Sequence, residues 1–168
     1  MSNFTLYLDM DGVLADFNTE YESLQSLNDD RIRFREAVME YKIFEKLDMM
    51  PDAHELLNHV KHIQNAHNDV TVEILTSTGT HNPFQADEAK RQKAKWLLHH
   101  GIEYKPNFSN SKSEKAQYAN PTSILIDDSI GCIAPFIEAR GHGILHVNAT
   151  DSIRILDSTI LQLRALHA

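Results

Sequence analysis

The residues best suited to chemistry stand at the ends of short apolar runs. Leu8-Asp9-Met10-Asp11-Gly12-Val13 closes the first run, and Ile124-Leu125-Ile126-Asp127-Asp128-Ser129 closes a later one. Side chains alternate along a strand, so Asp9 and Asp11 are expected on the same side as the chain leaves the sheet, with Gly12 allowing a sharp turn beside a ligand. Carboxylates that close repel one another unless a cation or a shared proton offsets the charge. If the two strand ends are neighbours in one sheet, the carboxylates of Asp9, Asp11, Asp127 and Asp128 meet in one crevice. Such an oxygen-rich cluster selects a hard cation. Mg²⁺ is the natural candidate, because it binds few carboxylates and completes its shell with water and phosphate.

A third run ends in Ile74-Leu75-Thr76-Ser77-Thr78-Gly79. Hydroxyls and backbone N–H groups at a strand-to-helix loop make an anion cradle, and Lys115 can add a point positive charge. Acids, hydroxyls and a lysine together describe a phosphoryl site. In it Asp9 attacks phosphorus, Asp11 protonates the leaving oxygen and later activates water, and the cation and Lys115 neutralise the phosphoryl oxygens. A carboxylate is a weak nucleophile, so electrostatic stabilisation carries most of the acceleration.

Taken singly, each feature has a plainer reading. Asp-x-Asp-Gly opens calcium loops, but Val13–Asn18 lacks the further acids and late Glu such a loop needs. Asp127-Asp128 and Thr76-Ser77-Thr78 can simply cap helices, and a helix lysine is normally solvated. Phe17, Phe44, Tyr41 and Trp96 suit core packing before a base pocket. His59-x-x-His62 has no acid or cysteine nearby to complete a zinc site. Cys132 is not a Cys-x5-Arg nucleophile, because Glu138 occupies the arginine position, and no Gly-x4-Gly-Lys-Ser/Thr loop is present. The phosphoryl reading rests on the agreement of the separate motifs.

The elements that must position these residues are legible in outline. Phe4–Leu8, Val70–Leu75, Ser123–Ile126 and Gly143–Val147 read as central parallel strands covered on both faces. Helical patterns lie between them. Asp52 and Glu55 suggest a capping box, followed by a face of Ala53, Leu56, Leu57, Val60 and Ile63. Asn82-Pro83 starts another helix that Gly101 ends, Ser111 and Glu114 suggest a second box, and Ile153, Leu156, Ile160 and Leu163 share a face. Pro135 places the start of its helix near itself rather than at Ser129. Alternating strands and helices predict an α/β fold, a doubly wound three-layer parallel sheet. The interval 17–50 is helical, contains no strand and exceeds a normal crossover, so it reads as a small helical cap inserted after the first strand, over a core of 1–16 and 51–168.

The order of these motifs resembles the haloacid dehalogenase (HAD) superfamily of phosphohydrolases. Asp9-Met10-Asp11-Gly12-Val13 is similar to its nucleophile motif, and Thr76, Lys115 and Asp127-Asp128 are similar to its second, third and fourth. Asp9–Phe17, the run from Phe44 through Pro51 to Leu75-Thr76-Ser77, and Ala139–Val147 resemble the 5'(3')-deoxyribonucleotidase branch, in its short bacterial and phage form. The resemblance implies that Asp9 is phosphorylated and Asp11 is the acid/base. It implies Mg²⁺ held by Asp9, the Asp11 backbone carbonyl and Asp128, with Asp127 in support. Thr76, Ser77 and Lys115 would grip the phosphate, Lys115 fitting the spacing better than Lys112, and Phe17 would lie against a nucleoside. The implied activity is dephosphorylation of nucleoside monophosphates. Sugar phosphates and 3'-phosphorylated nucleic-acid ends are the alternative substrates, and a phosphoacceptor signalling module is the alternative class, against which the motif order speaks.

Composition sets the remaining bounds. The 168 residues suit one core, and Lys+Arg 16 against Asp+Glu 24 leaves a net charge of −8, which repels polyanions and disfavours a nucleic-acid polymer as partner. The single Cys132 offers no internal disulfide, the N-terminus shows no signal-like pattern, and no apolar run approaches a membrane span. The expectation is a cytoplasmic domain acting on a small phosphorylated molecule.

Overall fold

The computed structural model describes residues 3–24 and 29–167, so residues 25–28 of the expected cap interval lie outside the described part. Five strands, β1 (Phe4–Leu8), β2 (Val70–Ser77), β3 (Lys105–Ser109), β4 (Ser123–Asp127) and β5 (His142–Leu145), form one sheet in the order β3-β2-β1-β4-β5. Every pairing is parallel. The strand alternation sorts the core into two faces. Leu6, Leu8, Val72, Ile74, Ile124 and Ile126 join one cluster. It also holds the buried faces of α4 (Ala53–Ala66) and α7 (Ala149–His167). Tyr7, Leu75 and Leu125 face the other way, onto Cys132, Ile133 and Phe136 of α6 (Ile130–Glu138). The doubly wound parallel architecture is therefore as expected.

Between β1 and α4 the described chain is helical and contains no strand. It comprises α1 (Phe17–Ser23), α2 (Asp30–Glu36), a π-helical turn (Ala37–Tyr41) and α3 (Ile43–Lys46). Ala37, Val38, Ile43, Phe44 and Leu47 belong to the same core cluster as the sheet. These helices dock on α5 (Pro83–His99) through Gln92, whose amide donates to the Val38 carbonyl at 2.7 Å and accepts from the Phe44 N–H at 3.2 Å.

Four local expectations are corrected. β3 was not visible as an apolar run: Lys105-Pro106-Asn107-Phe108-Ser109 is a polar strand with a proline, tolerated because it lies at the sheet edge. α6 begins at Ile130, with Pro135 inside it. Burial of Cys132, Ile133 and Phe136 outweighs the one backbone hydrogen bond the proline removes. The Asp52–Glu55 box does not form, because Asp52 Oδ2 accepts the Ala149 N–H at 2.6 Å and so caps α7 instead. Ser111 and Glu114 do not box either; Glu114 reaches the Asn110 N–H at 3.0 Å ahead of a 3₁₀ turn (Ser113–Tyr118). Asn82 caps α5 as expected, accepting the Gln85 N–H at 3.2 Å, and Gly101 follows the helix at φ +66°. Among the described residues no helix is long and apolar enough to cross a membrane.

Candidate active site

The carboxyl ends of β1, β2 and β4, with the loops that follow them, open into a cavity of about 450 Å³. β1 and β4 are direct neighbours, and the Asp9 N–H continues their ladder to the Ile126 carbonyl at 3.0 Å. Asp9, Asp11, Asp127 and Asp128 consequently all line the same cavity. Carboxylate oxygens of Asp9, Asp127 and Asp128 lie within 4.8 Å of one another. Gly12, at φ +81°, makes the approach of Asp128 feasible, since a Cβ there would collide with the Asp128 carboxylate. Among the described residues this is the only such group of ligand-type side chains, and His59 pairs instead with Asp157 at 2.8 Å.

Lys115 lies between two of these acids. Its ammonium donates to Asp9 Oδ1 at 2.7 Å and Asp127 Oδ2 at 2.6 Å, with all three side chains nearly or fully buried. Asp127 Oδ1 accepts the Ser129 N–H at 2.9 Å, so both oxygens of that carboxylate are held in place while each keeps a further lone pair. Burial pushes the Asp9 carboxyl up, against the pull of Lys115 and with added repulsion from Asp127 and Asp11, to about 7. Burial also disfavours the Lys115 ammonium, but Asp9 and Asp127 more than offset this and hold its pKa above that of an ordinary lysine. Asp128 is raised by burial and by Asp127. Lys112, which also lines the cavity, donates to Ser129 Oγ at 3.1 Å and exerts a lowering Coulombic pull on Asp128.

Asp11 turns to a different partner, Lys93 of α5. The Lys93 ammonium donates to Asp11 Oδ2 at 2.5 Å and to Thr76 Oγ1 at 2.8 Å. The sequence reading missed this lysine, although a signal was present. Ala86, Ala89, Lys93, Trp96 and Leu97 fall on the buried stripe of α5, where a charged residue needs a partner. Thr76 is fully buried on Lys93 and does not line the cavity, whereas Ser77, Thr78 and Gly79 do.

The remaining wall is apolar and aromatic. Phe17, Phe34 and Phe44 line the cavity, and Phe17 stacks on both Tyr21 and Phe44 with centroids 5.1 and 5.5 Å apart. Trp96 is core, donating to the Leu47 carbonyl at 2.7 Å, and Tyr41 bonds Glu20 at 2.6 Å outside the cavity. Cys132 reaches the cavity, but burial pushes its thiol up to about 12, unsuited to attack.

No family model matches the chain, and no curated protein matches it in sequence. Solved structures do. A hydrolase from Streptococcus pneumoniae TIGR4 superposes with a TM-score of 0.57 at 14% identity, over 94% of this chain and 100% of that one. The two share an α/β fold built on a parallel sheet. A protein from Burkholderia xenovorans LB400 assigned as a haloacid dehalogenase-like hydrolase gives 0.49 at 15% identity, over 83% of this chain and 78% of that one. The D,D-heptose 1,7-bisphosphate phosphatase of Burkholderia thailandensis gives 0.47 at 10% identity, over 83% and 75%. At these identities the likeness is one of fold alone.

Proposed function

We propose that the chain is a phosphomonoester hydrolase working through a phosphorylated Asp9, with nucleoside monophosphates as its substrates. The observation that carries this reading is the convergence of Asp9, Asp127 and Asp128 within 4.8 Å, beside Asp11, at the floor of an aromatic-walled cavity.

The donor set fits a hard divalent ion. It consists of carboxylate oxygens alone, and one member, Asp128, is solvent-exposed, leaving room for water and a phosphoryl oxygen. Asp9, Asp127 and Asp128 would hold Mg²⁺, which when bound supplies positive charge to the phosphoryl oxygens. Lys115 pulls Asp9 toward its ionised form and aims it. An Asp9 oxygen forms the new bond to phosphorus, the ester P–O bond breaks, and the departing oxygen takes its proton from Asp11. Water then attacks the phosphoryl-Asp9 and gives its proton to Asp11, releasing phosphate and restoring Asp9. Ser77, on the cavity wall, would offer its hydroxyl to a phosphoryl oxygen, while the N–H groups of Thr78 and Gly79 are engaged with the Ser109 carbonyl and Ser77 Oγ. The stacked Phe17 and Phe44, Phe34, and the amides of Asn18 and Asn110 offer the planar and hydrogen-bonding surfaces a nucleobase uses, in a cavity of small-molecule size. The charge of −8 disfavours a polymeric nucleic acid.

The test is phosphate release from nucleoside 5'- and 3'-monophosphates, sugar phosphates and 3'-phosphorylated DNA ends, with and without Mg²⁺. Nucleoside monophosphates are expected to lead. Asp9→Asn is expected to remove at least about 10³-fold of turnover while the fold is retained. Full activity of Asp9→Asn would exclude the covalent route, and a long-lived phosphoaspartate without turnover would favour a signalling module instead.

A further inference from the structure

Lys93 takes no part in the steps above, yet its side chain is 0% exposed and it does not line the cavity. Its ammonium is bonded to Asp11 Oδ2 and Thr76 Oγ1 and lies 4.4 Å from the Phe44 ring centroid. A buried ammonium is retained only where partners offset its desolvation, and here the partners come from three elements: the β1 loop, β2 and α3. Thr76 and Phe44 are themselves immobilised in the core, so the position of Nζ is determined before Asp11 is added. Asp11, in contrast, is 27% exposed and lines the cavity, while its Oδ1 is buried without a hydrogen-bond partner. One carboxylate oxygen is therefore tethered by Lys93, and the carboxylate as a whole is left short of partners on a residue that lines the cavity.

We propose that Lys93 is the positioning residue of Asp11, holding its carboxylate through Oδ2 so that it meets the ester oxygen that must be protonated as it leaves. The proposal rests on the phosphomonoesterase reading and adds a determinant to it. Lys93 does not line the cavity, and beyond a weak Coulombic pull on Asp9 its influence on the acids passes through its bond to Asp11. A misplaced acid hurts a poor leaving group and spares a good one. An alkyl ester leaves as a strongly basic alkoxide and needs the proton during bond breaking, whereas 4-nitrophenolate leaves without it. Well-placed general acids contribute about 10²–10⁴-fold, and a small misplacement can lose about 10²-fold.

The experiment compares the full chain with Lys93→Met, in the presence of Mg²⁺, on 4-nitrophenyl phosphate and on the best alkyl phosphate of the substrate panel. The quantity read is kcat/KM, which reports the steps through transfer to Asp9. For the alkyl ester it is expected to fall by about 10²-fold, and for the aryl ester by less than about 3-fold. Affinity for inorganic phosphate, measured by calorimetry, is expected to stay within about 3-fold, since Lys93 does not reach the anion. Lys93→Gln retains a donor and is expected to fall between Met and the wild type; it carries the same comparison if Lys93→Met does not fold. Equal losses on both esters, no loss on either, or weakened phosphate binding would each overturn the proposal. Failure of both variants to fold would make Lys93 a core ion-pair residue and overturn it as well. An unaltered chain that hydrolyses neither ester removes the phosphomonoesterase reading itself, an outcome distinct from all of these.

Discussion

The two buried lysines of the site are arranged differently. Lys115 sits between two acids that are 8% and 0% exposed, and binds both at 2.6–2.7 Å. Lys93 binds one acid, 27% exposed, and one hydroxyl. On the β1–β4 side the chain has gathered three carboxylates around one ammonium, an excess of acid that a cation or a proton on Asp9 offsets. On the β2–α5 side a single neutralised pair leaves one acid oxygen unengaged. Under the proposed function the contrast separates two tasks: attack on phosphorus by Asp9 within a group of acids that would hold a metal, and proton transfer by Asp11, a carboxylate that is aimed but not saturated.

The largest test of this contrast is stability. Lys115→Met would leave Asp9 and Asp127 facing each other without compensation, and breaking a buried pair of this kind costs about 3–5 kcal/mol. Lys93→Met should cost less, about 1–3 kcal/mol, because Asp11 can take up water. Denaturant unfolding of the two metal-free variants checks the order, and equal losses would erase the distinction.

Next comes pH. The Asp9 carboxyl is held up to about 7 in the fold against an ordinary 3.8, chiefly by burial. Folding therefore favours its protonated form, and the stability this contributes is present below about pH 4 and lost as pH rises to 7. Metal-free Asp9→Asn should lack that decline, so the stability difference between variant and wild type should grow from pH 4 to 7. Glu88, lowered to about 2 by hydrogen bonds from Arg91, Gln92 and Lys42, acts in the opposite sense, its contribution vanishing as pH falls from 4.5 toward 2. Denaturant midpoints across pH 2–8 distinguish the two.

A smaller effect concerns the metal side alone. Mg²⁺ at about 100 times its dissociation constant should add about 2.7 kcal/mol of stability. Asp128→Asn should remove most of that gain, and Lys93→Met should keep it, as read from melting with and without Mg²⁺. The smallest effect lies outside both lysines. Asp52→Ala removes the acceptor of the Ala149 N–H and should cost about 1 kcal/mol without altering turnover.

The strands that carry the site could be read because their burial is continuous. Phe4–Leu8 and Ser123–Ile126 are covered on both faces, so nearly every residue is apolar and the pattern needs no partner to be recognised. β3 could not, since an edge strand needs only its backbone and tolerates Pro106 and Asn107. The capping acids were misassigned for a related reason. Asp52 stands in front of α4 by sequence, yet its carboxylate serves α7, about a hundred positions away, where the N–H is nearer. Lys93 was hidden among lysines and arginines on the same helix, and only its place in the apolar stripe distinguishes it.

By itself the sequence determined the parallel α/β plan and the four acids at strand ends, because hydrophobic run length and side-chain alternation are local properties of a chain. Which lysine meets which acid was decided by the tertiary structure. Lys115 reaches Asp9 across 106 positions and Lys93 reaches Asp11 across 82, and both contacts exist only once the crossovers have set β1 between β2 and β4. Electrostatic pairing depends on distance in space, and spacing along the chain constrains that distance only within one element.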